Sequence, residues 1–516
     1  MRIGIDVGGT NTDAVLLDGA RVLAGVKTST TEDVTSGIAA AVADLRRRYP
    51  FDPAGVRAVM IGTTHFINAL VEARRLAPVA AVRLSLPAGA SLPPMVDWPR
   101  RLVDAIAGRS YLCHGGHEFD GRHIAELDET ELRRAAEDMA RAAVRSVAIT
   151  SVFSPVNAEF EIRAAELIAA ELPGVPISLS HEIGRIGMLQ RENATVINAA
   201  LRELAAHIMD GLVASVAGAG ITAPLYLSQN DGTLMDLDFA RRYPVATFAS
   251  GPTNSMRGAA VLSGLHTCAV VDVGGTTTDV GMLERGFPRE ATADVGVAGI
   301  RTNFRMPDVL SIGVGGGSRI RGGPSDVAVG PDSVGYELTS KALVFGGDTL
   351  TATDVAVAAG RADIGDPARV TRLDRALARA AMDRVAADVL EAVDRMRTSA
   401  EPLPVIAVGG GSILLPDELD GVGKVHRPEH HAVANAIGAA IAQIGGEVDR
   451  VYAIEPGRRD TVLDEARQEA VDRAVAAGAS RPTVEIVEFD EVPIPYLPGN
   501  ATRIRVKAVG DLRLGE

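Results

Sequence analysis

The octapeptide Asp6-Val7-Gly8-Gly9-Thr10-Asn11-Thr12-Asp13 returns as Asp272-Val273-Gly274-Gly275-Thr276-Thr277-Thr278-Asp279, with seven of eight residues unchanged, just over half the chain length downstream. Each copy follows an apolar run (Ile3, Ile5; Ala269 to Val271) and precedes another (Ala14 to Leu17; Val280 to Leu283), so both read as strand, tight turn, strand. Paired glycines let backbone N–H groups approach a polyanion with no Cβ in the way. Threonine hydroxyls add donors, and the leading Asp can hold a hydrated Mg²⁺. Two ordinary hairpins would need only two turn residues each, not an Asp and a Thr at fixed offsets around them. Two matching phosphate turns imply one nucleotide held between two lobes.

At 516 residues the chain is too long for a single core and divides into two to four domains. With 47% hydrophobic and 23% charged residues it reads as an ordinary globular protein, and no apolar run is long enough to span a membrane. The start of the chain lacks the charged-then-apolar pattern of a secretion signal, so a cytoplasmic location is expected. The two cysteines, Cys113 and Cys268, supply neither a disulfide scaffold nor a thiolate metal cage. A net charge of −14 argues against nucleic acid as partner, because backbone binding needs a basic face.

After the first turn, Asp18-Gly19 marks a second hairpin and a three-strand meander ending near Lys27. A helix follows, capped by Thr30 or Thr31, with Glu32 and Asp33 in its first turn and Val34, Ile38, Ala41, Val42 and Leu45 on one face. Val56 to Ile61 reads as a buried strand delivering Gly62-Thr63-Thr64 to a helix. Residues 79 to 180 alternate strand and helix as a further α/β segment, and 187 to 217 form a long helix. Two helices poor in side-chain volume, one following Ser250-Gly251-Pro252 and carrying Gly258, Ala259 and Ala260, the other carrying Ala434, Ala436, Gly438, Ala439 and Ala440, can approach closely, as a hinge requires. Between them the strand Val405 to Val408 ends in Gly409-Gly410-Gly411-Ser412, a turn over which a flat ring can lie. From about residue 450 the pattern is one amphipathic helix, Thr461 to Ala477, and two strands.

Phosphate turn, hinge helix, second phosphate turn, glycine turn, second hinge helix: in this order the chain resembles the ATPase fold shared by actin, Hsp70 and sugar kinases. More narrowly, the turns at 6–13 and 272–279, Gly62-Thr63-Thr64 with Asn68-Ala69-Leu70 and Glu72, Thr195 with Asn198-Ala199, Ser250-Gly251-Pro252, and Gly313 with Gly315-Gly316-Gly317-Ser318 resemble the ATP-using A subunit of the hydantoinase/oxoprolinase family. The resemblance implies a duplicated actin-like (ribonuclease H-like) α/β fold with two lobes around a nucleotide cleft. It divides the chain into an N-terminal α/β domain (1–181), an ATPase domain (187–446) and a small C-terminal α/β appendage (447–516). It also implies ATP and Mg²⁺ as cofactors, a cyclic amide, imide or ketone as substrate, a B-type second subunit as partner, and an oligomer. Phosphorylating the carbonyl oxygen turns it into a leaving group, so a nucleophile can attack the carbon. The chain departs from the family where Asn11 replaces the usual Phe, where Leu310 replaces a His of longer members, and where Val334-Gly335-Tyr336-Glu337-Leu338 replaces their Pro-Gly-Pro-Ala-Cys. A small-molecule kinase and a nucleotide-switched activator or assembly protein are the competing functions.

Asp6, Asp272 and Asp279 are the catalytic candidates. Asp6 and Asp272 would position Mg²⁺ and the attacking group, with one carboxylate acting as base. Gly8, Gly9, Thr10, Thr12, Gly274, Gly275, Thr276 and Thr277 are candidates to contact phosphates, and Gly409, Gly410, Gly411 and Ser412 the nucleoside. Asp13 and Asp279 have a structural alternative as acceptors of backbone hydrogen bonds across each hairpin. His65, Asn68, Gly315 and Gly316 are substrate candidates. Asp354 reads as the N-cap of an alanine-rich helix. The loop from Cys113 to His123 holds three of the ten histidines, but it lacks helical His-x-x-x-His spacing and reads as a structural or lid segment rather than a metal site.

Overall fold

The computed structural model describes residues 1–9, 11–29, 34–291, 295–399, 401, 403–495 and 500–514. Thr10 and the helix-capping candidates Thr30, Thr31, Glu32 and Asp33 lie outside the described residues. The meander is β1 (Arg2–Val7), β2 (Asn11–Asp18) and β3 (Arg21–Ser29), followed by α1 (Val34–Arg48), β4 (Ala58–Thr63) and α2 (His65–Glu72). Strand β1 runs antiparallel to β2 and parallel to β4. Alternation along these strands buries Ile3, Ile5, Val59 and Ile61 against Ile38 and Leu45 of α1, which is why the helical stripe read from the sequence faces this sheet.

An α/β insertion follows, with β5 (Val79–Leu86), β6 (Arg109–His114), α3 (Glu129–Arg141), β7 (Ser146–Ser151), α4 (Glu159–Glu171) and β8 (Ile177–Leu179). Its four parallel strands lie in the order β6-β5-β7-β8. Ala80, Val82, Leu84, Val147 and Ile149 face α3 and α4, while Val79, Ala81 and Ala148 face the long helix α5 (Met188–Gly218). Covered on both faces, these strands are apolar throughout rather than alternating. Arg83 in β5 donates from Nε to Glu192 of α5 at 2.6 Å, and the pair is wholly buried.

The chain then adds β9 (Leu225–Ser228) and β10 (Thr233–Asp236) to the first sheet, passes through helix α6 (Ser250–Ser263), and builds the second lobe. That lobe holds β11 (Cys268–Val273), β12 (Thr278–Glu284), β13 (Val309–Ile312), α7 (Ala352–Ala358), α8 (Arg375–Met396), β14 (Val405–Val408) and β15 (Gly423–His426). Strand β11 is antiparallel to β12 and parallel to β14, repeating the relations of β1 with β2 and β4. The registers match as well: Asp6 faces Asp13 and Val7 faces Thr12 in the first hairpin, as Asp272 faces Asp279 and Val273 faces Thr278 in the second.

Helix α9 (Ala434–Ile441) and α6 lie between the two sheets. Ala436, Ile437 and Ala440 pack on Val15 and Leu17 of the first sheet, and Met256, Ala259 and Ala260 on Val270, Ile406 and Val408 of the second. The helices touch through backbone: a Cβ on Gly258 would stand 2.0 Å from the Ala434 carbonyl oxygen, and one on Gly438 only 1.8 Å from that of Asn254.

The C-terminal segment does not stand apart as an appendage. Strands β16 (Gln443–Ala453), β17 (Glu485–Pro493) and β18 (Ala501–Gly510) extend the first sheet to nine strands, ordered β17-β18-β16-β10-β9-β4-β1-β2-β3, with α10 (Arg459–Ala476) packed on them. A boundary at 446/447 therefore falls inside β16, and one more strand is present than the sequence pattern suggested. The missed strand opens with Gln443-Ile444-Gly445-Gly446, whose glycines weaken a strand signal.

Gly438→Ala is expected to destabilise the protein by about 3 kcal/mol or more, because neither backbone can yield. Gly218→Ala, at an open helical position, should stay within about 1 kcal/mol of wild type on the stabilising side. Urea unfolding of the two variants tests the contrast, and equal stabilities would rule out the backbone contact as the constraint.

Candidate functional site

The two hairpin turns close in the same way: Gly8 N–H donates to the Asn11 carbonyl at 3.0 Å, and Gly274 N–H to the Thr277 carbonyl at 2.9 Å. Consecutive residues of α6 then tie the lobes together. Asn254 Nδ2 donates to Asp6 Oδ1 at 3.2 Å, and Ser255 Oγ donates to Asp272 Oδ2 at 2.5 Å. From α9, Asn435 Nδ2 donates both to Asp6 Oδ2 at 3.0 Å and to Asp13 Oδ2 at 2.8 Å. Lys27 of β3 reaches both oxygens of Asp13, at 2.6 and 2.7 Å. Its positive charge also acts on Asp272. A Cβ placed on Gly62 would lie 2.2 Å from Asp6 Oδ1, and one on Gly409, whose φ is +82°, 2.3 Å from Asp272 Oδ1. Glycine is therefore required beside each leading carboxylate.

Burial pushes the Asp6 carboxyl up to about 6. Asn254 and Asn435 pull the other way, and the like charges of Asp13 and Asp272 add to the rise. Asp279 is likewise raised to about 6 by burial, opposed by the Ser311 hydroxyl that donates to it at 2.5 Å, with Asp272 adding repulsion. Asp272 is raised by burial against the pull of Ser255 and Lys27. Oxygen donors whose charged forms are held at a cost suit a hard divalent cation, and Asp6 and Asp272 head that set. Asp13 and Asp279 accept from side chains of Lys27, Asn435 and Ser311 rather than from backbone across the hairpin.

Among the remaining sequence-derived candidates, Gly9 is open on its Cβ side, and Thr12 is buried with its carbonyl accepting from Thr28 Oγ1 at 3.2 Å. Gly409, Gly410, Gly411 and Ser412 lie against the end of β11, with Gly409 N–H bonded to the His431 carbonyl at 3.0 Å. Ser412 Oγ is buried without a hydrogen-bond partner among the described residues. Gly315 and Gly316 do not face an open pocket. Their loop is clamped onto the second turn, Gly316 N–H to the Gly274 carbonyl at 3.0 Å and Gly317 N–H to that of Gly275 at 2.7 Å, with Gly315 packed on Gly275 and Thr276. The loop thus buttresses the turn of the second hairpin. His65 shares a 2.8 Å hydrogen bond with Thr63, and Asn68 donates at 3.4 Å to Thr64 Oγ1, which itself donates to the Val7 carbonyl at 3.3 Å. Asp354 is not the N-cap: Thr351 caps α7, and Asp354 completes its capping box while also accepting from Val344 N–H at 2.8 Å.

Sequence reasoning missed Asn254, Ser255, Asn435, Lys27 and Ser311. A signal did exist for two of them. Asn254, fully buried, and Asn435, half-buried, each interrupt a run of small residues in a hinge helix, where an amide among apolar neighbours must find a partner.

Because Asp6 and Asp279 hold protons that the unfolded chain has released between about pH 4 and pH 6, their contribution to stability falls as pH rises through that window. In metal-free buffer Asp279→Asn should therefore lose less stability than wild type between pH 4 and pH 6.5. Parallel pH profiles from chemical unfolding would contradict the raised proton affinity of Asp279.

The family model described as hydantoinase/oxoprolinase N-terminal region matches residues 2–172, and that described as hydantoinase/oxoprolinase matches residues 191–401. The chain is 27% identical to caprolactamase subunit alpha of Pseudomonas jessenii over 474 residues, 85% of this chain and 65% of that protein. It is 26% identical to the acetone carboxylase beta subunit of Xanthobacter autotrophicus over 275 residues, 51% of this chain and 36% of that one. These matches thus span less than two thirds of either relative. The fold is that of the crystal structure of the ATP-dependent caprolactamase from Pseudomonas jessenii, with a TM-score of 0.79 at 20% identity over 99% of this chain and 88% of that one. The chain belongs to the hydantoinase/oxoprolinase family.

Proposed function

From family membership and the site geometry, we propose that this protein uses ATP to activate the carbonyl of a cyclic amide or imide, of the hydantoin, 5-oxoproline or lactam type, or of a ketone. The observation that carries the reading is the convergence of two in-register Asp-Gly-Gly hairpins, one from each lobe, on carboxylates held by neighbouring residues of a single helix. Backbone N–H groups of Gly9, Gly275 and Thr276 offer donors to a triphosphate from opposite sides, and the glycine turn 409–412 offers a surface for the nucleoside. Asp6 and Asp272 would hold Mg²⁺, which when bound neutralises phosphate charge and polarises the transferring group. Lys27, from its place on Asp13, supplies the positive charge that offsets the negative charge shared with the phosphoryl group. Asp279, outside the Mg²⁺ pair and with its carboxyl near 6, is tuned to take a proton from an attacking group close to neutral pH.

The substrate oxygen attacks the γ-phosphorus, the bond to the bridging oxygen breaks, ADP leaves, and the ring carbon becomes open to a nucleophile. Relatives named as subunits support a second, B-type chain that completes the reaction. No helix among the described residues is long and apolar enough to cross a membrane.

ATP turnover measured with hydantoins, 5-oxoproline, lactams and ketones, with and without a B-type partner, tests this. The expected result is phosphate release stimulated by at least one ring or ketone and lowered about 100-fold or more in Asp272→Asn and Asp6→Asn. Lys27→Met should cut turnover and also lower the melting temperature, because it leaves Asp13 buried without its cation. Accumulation of a phosphorylated substrate would instead make the protein a kinase, and turnover unaffected in both Asp variants would remove the hairpins from the chemistry.

A further inference from the structure

A second cluster of ionisable side chains lies in the insertion, away from the hairpins. The loop after β6 lies across the carboxyl ends of β5 and β7. His117 N–H donates to the Val152 carbonyl at 3.1 Å, and Ile124 N–H to that of Gly116 at 2.8 Å. In the order β6-β5-β7-β8 the chain leaves β5 toward one side of the sheet and β7 toward the other, so this loop fills the crevice where connections diverge, the usual ligand position of an open parallel sheet. Glu159, the first residue of α4, projects its Oε1 into the same place, 3.1 Å from His117 Nε2 and 2.9 Å from His123 Nε2. All three atoms fall within 4.8 Å of one another. Donors on a tetrahedral zinc ion stand about 3.3 Å apart, given bonds of about 2.0 Å, so the two His–Glu pairs already stand at coordination spacing and the two imidazole nitrogens, within 4.8 Å, need close by about 1.5 Å at most.

Charge points the same way. His123 meets a carboxylate at both ring nitrogens, Glu126 Oε1 at 3.0 Å from Nδ1 and Glu159 Oε1 at Nε2. A neutral imidazole has only one N–H. With that proton given to Glu126, the Nε2 lone pair and a carboxylate oxygen face each other, and a cation between them resolves the repulsion. Glu126 then serves as the carboxylate that orients a ligating histidine. His117 is fully buried against the ring of Phe160 and its Nδ1 has no hydrogen-bond partner among the described residues, so the proton that Nε2 shows to Glu159 Oε1 without metal can pass to Nδ1 and leave the Nε2 lone pair for a cation.

We infer that His117, His123 and Glu159 bind a divalent transition ion of the zinc class, with a fourth position open to solvent because His123 and Glu159 are exposed. The inference is independent of the ATP reading. Full-length protein stripped with chelator and titrated with Co²⁺ should take up one equivalent with the visible absorption of a low-coordinate site, displaced by Zn²⁺. His123→Ala and Glu159→Gln should each abolish that signal, Glu126→Gln should weaken uptake about 10- to 100-fold, and Asp272→Asn should leave it unchanged. His123, Glu126 and Glu159 are exposed, so the metal-free variants should match wild type in circular dichroism and melting. Absence of Co²⁺ absorption in wild type, as expected if a protonated His123 holds both carboxylates instead, overturns the assignment. So does uptake that persists in His123→Ala and Glu159→Gln.

Discussion

The site depends on two helices that touch through their backbones. Gly258 meets the backbone of Ala434 and Gly438 that of Asn254, so α6 and α9 are in direct backbone contact that a Cβ at either glycine would block. That proximity lets one helix serve two sheets. Asn254 turns to Asp6 in the first lobe while its neighbour Ser255 turns to Asp272 in the second. Asn435, on the other helix, spans Asp6 and Asp13. Spreading the helices by a methyl group on each would pull these donors off their carboxylates before it disturbed either core.

The charge balance of the cleft follows from that geometry. Lys27 pairs with Asp13 and acts on Asp272, while no cation is among the causes of the Asp6 and Asp279 shifts, and the raised proton affinities of Asp6, Asp272 and Asp279 express how poorly so much negative charge is tolerated when desolvated. A core built for stability alone would place apolar groups there. On the proposed reading, in which Mg²⁺ would sit between Asp6 and Asp272, the same repulsion would tie cation binding to the approach of the two hairpins.

Much of this was legible in the sequence because it rests on local pattern. The octapeptide repeat gave both hairpins with their register, the Ala/Gly runs gave both central helices, and the periodicity of 34–45 gave the face that α1 buries. What was not legible depends on residues distant in the chain. Lys27 looks like an ordinary strand end until β3 is laid beside the second lobe, and Ser311 gains meaning only when β13 pairs with β12. Gly315 and Gly316 read as an open glycine loop because their partners, the carbonyls of Gly274 and Gly275, carry no side-chain signal. Glu159 stands 36 residues beyond His123, so no spacing rule within the histidine loop could have found it.

The nine-stranded sheet carries an implication for how the protein is made. Strand β10 pairs on one side with β9 and on the other with β16, and β16 in turn with β18, so the flank of the first lobe waits for chain that leaves the ribosome only after the entire second lobe has emerged. Throughout that interval β10 presents unpaired amides and carbonyls, the kind of open edge to which other nascent strands adhere. Ordering of the second lobe can therefore proceed while the first is still unfinished, and the first sheet closes on that flank only once β16 has emerged.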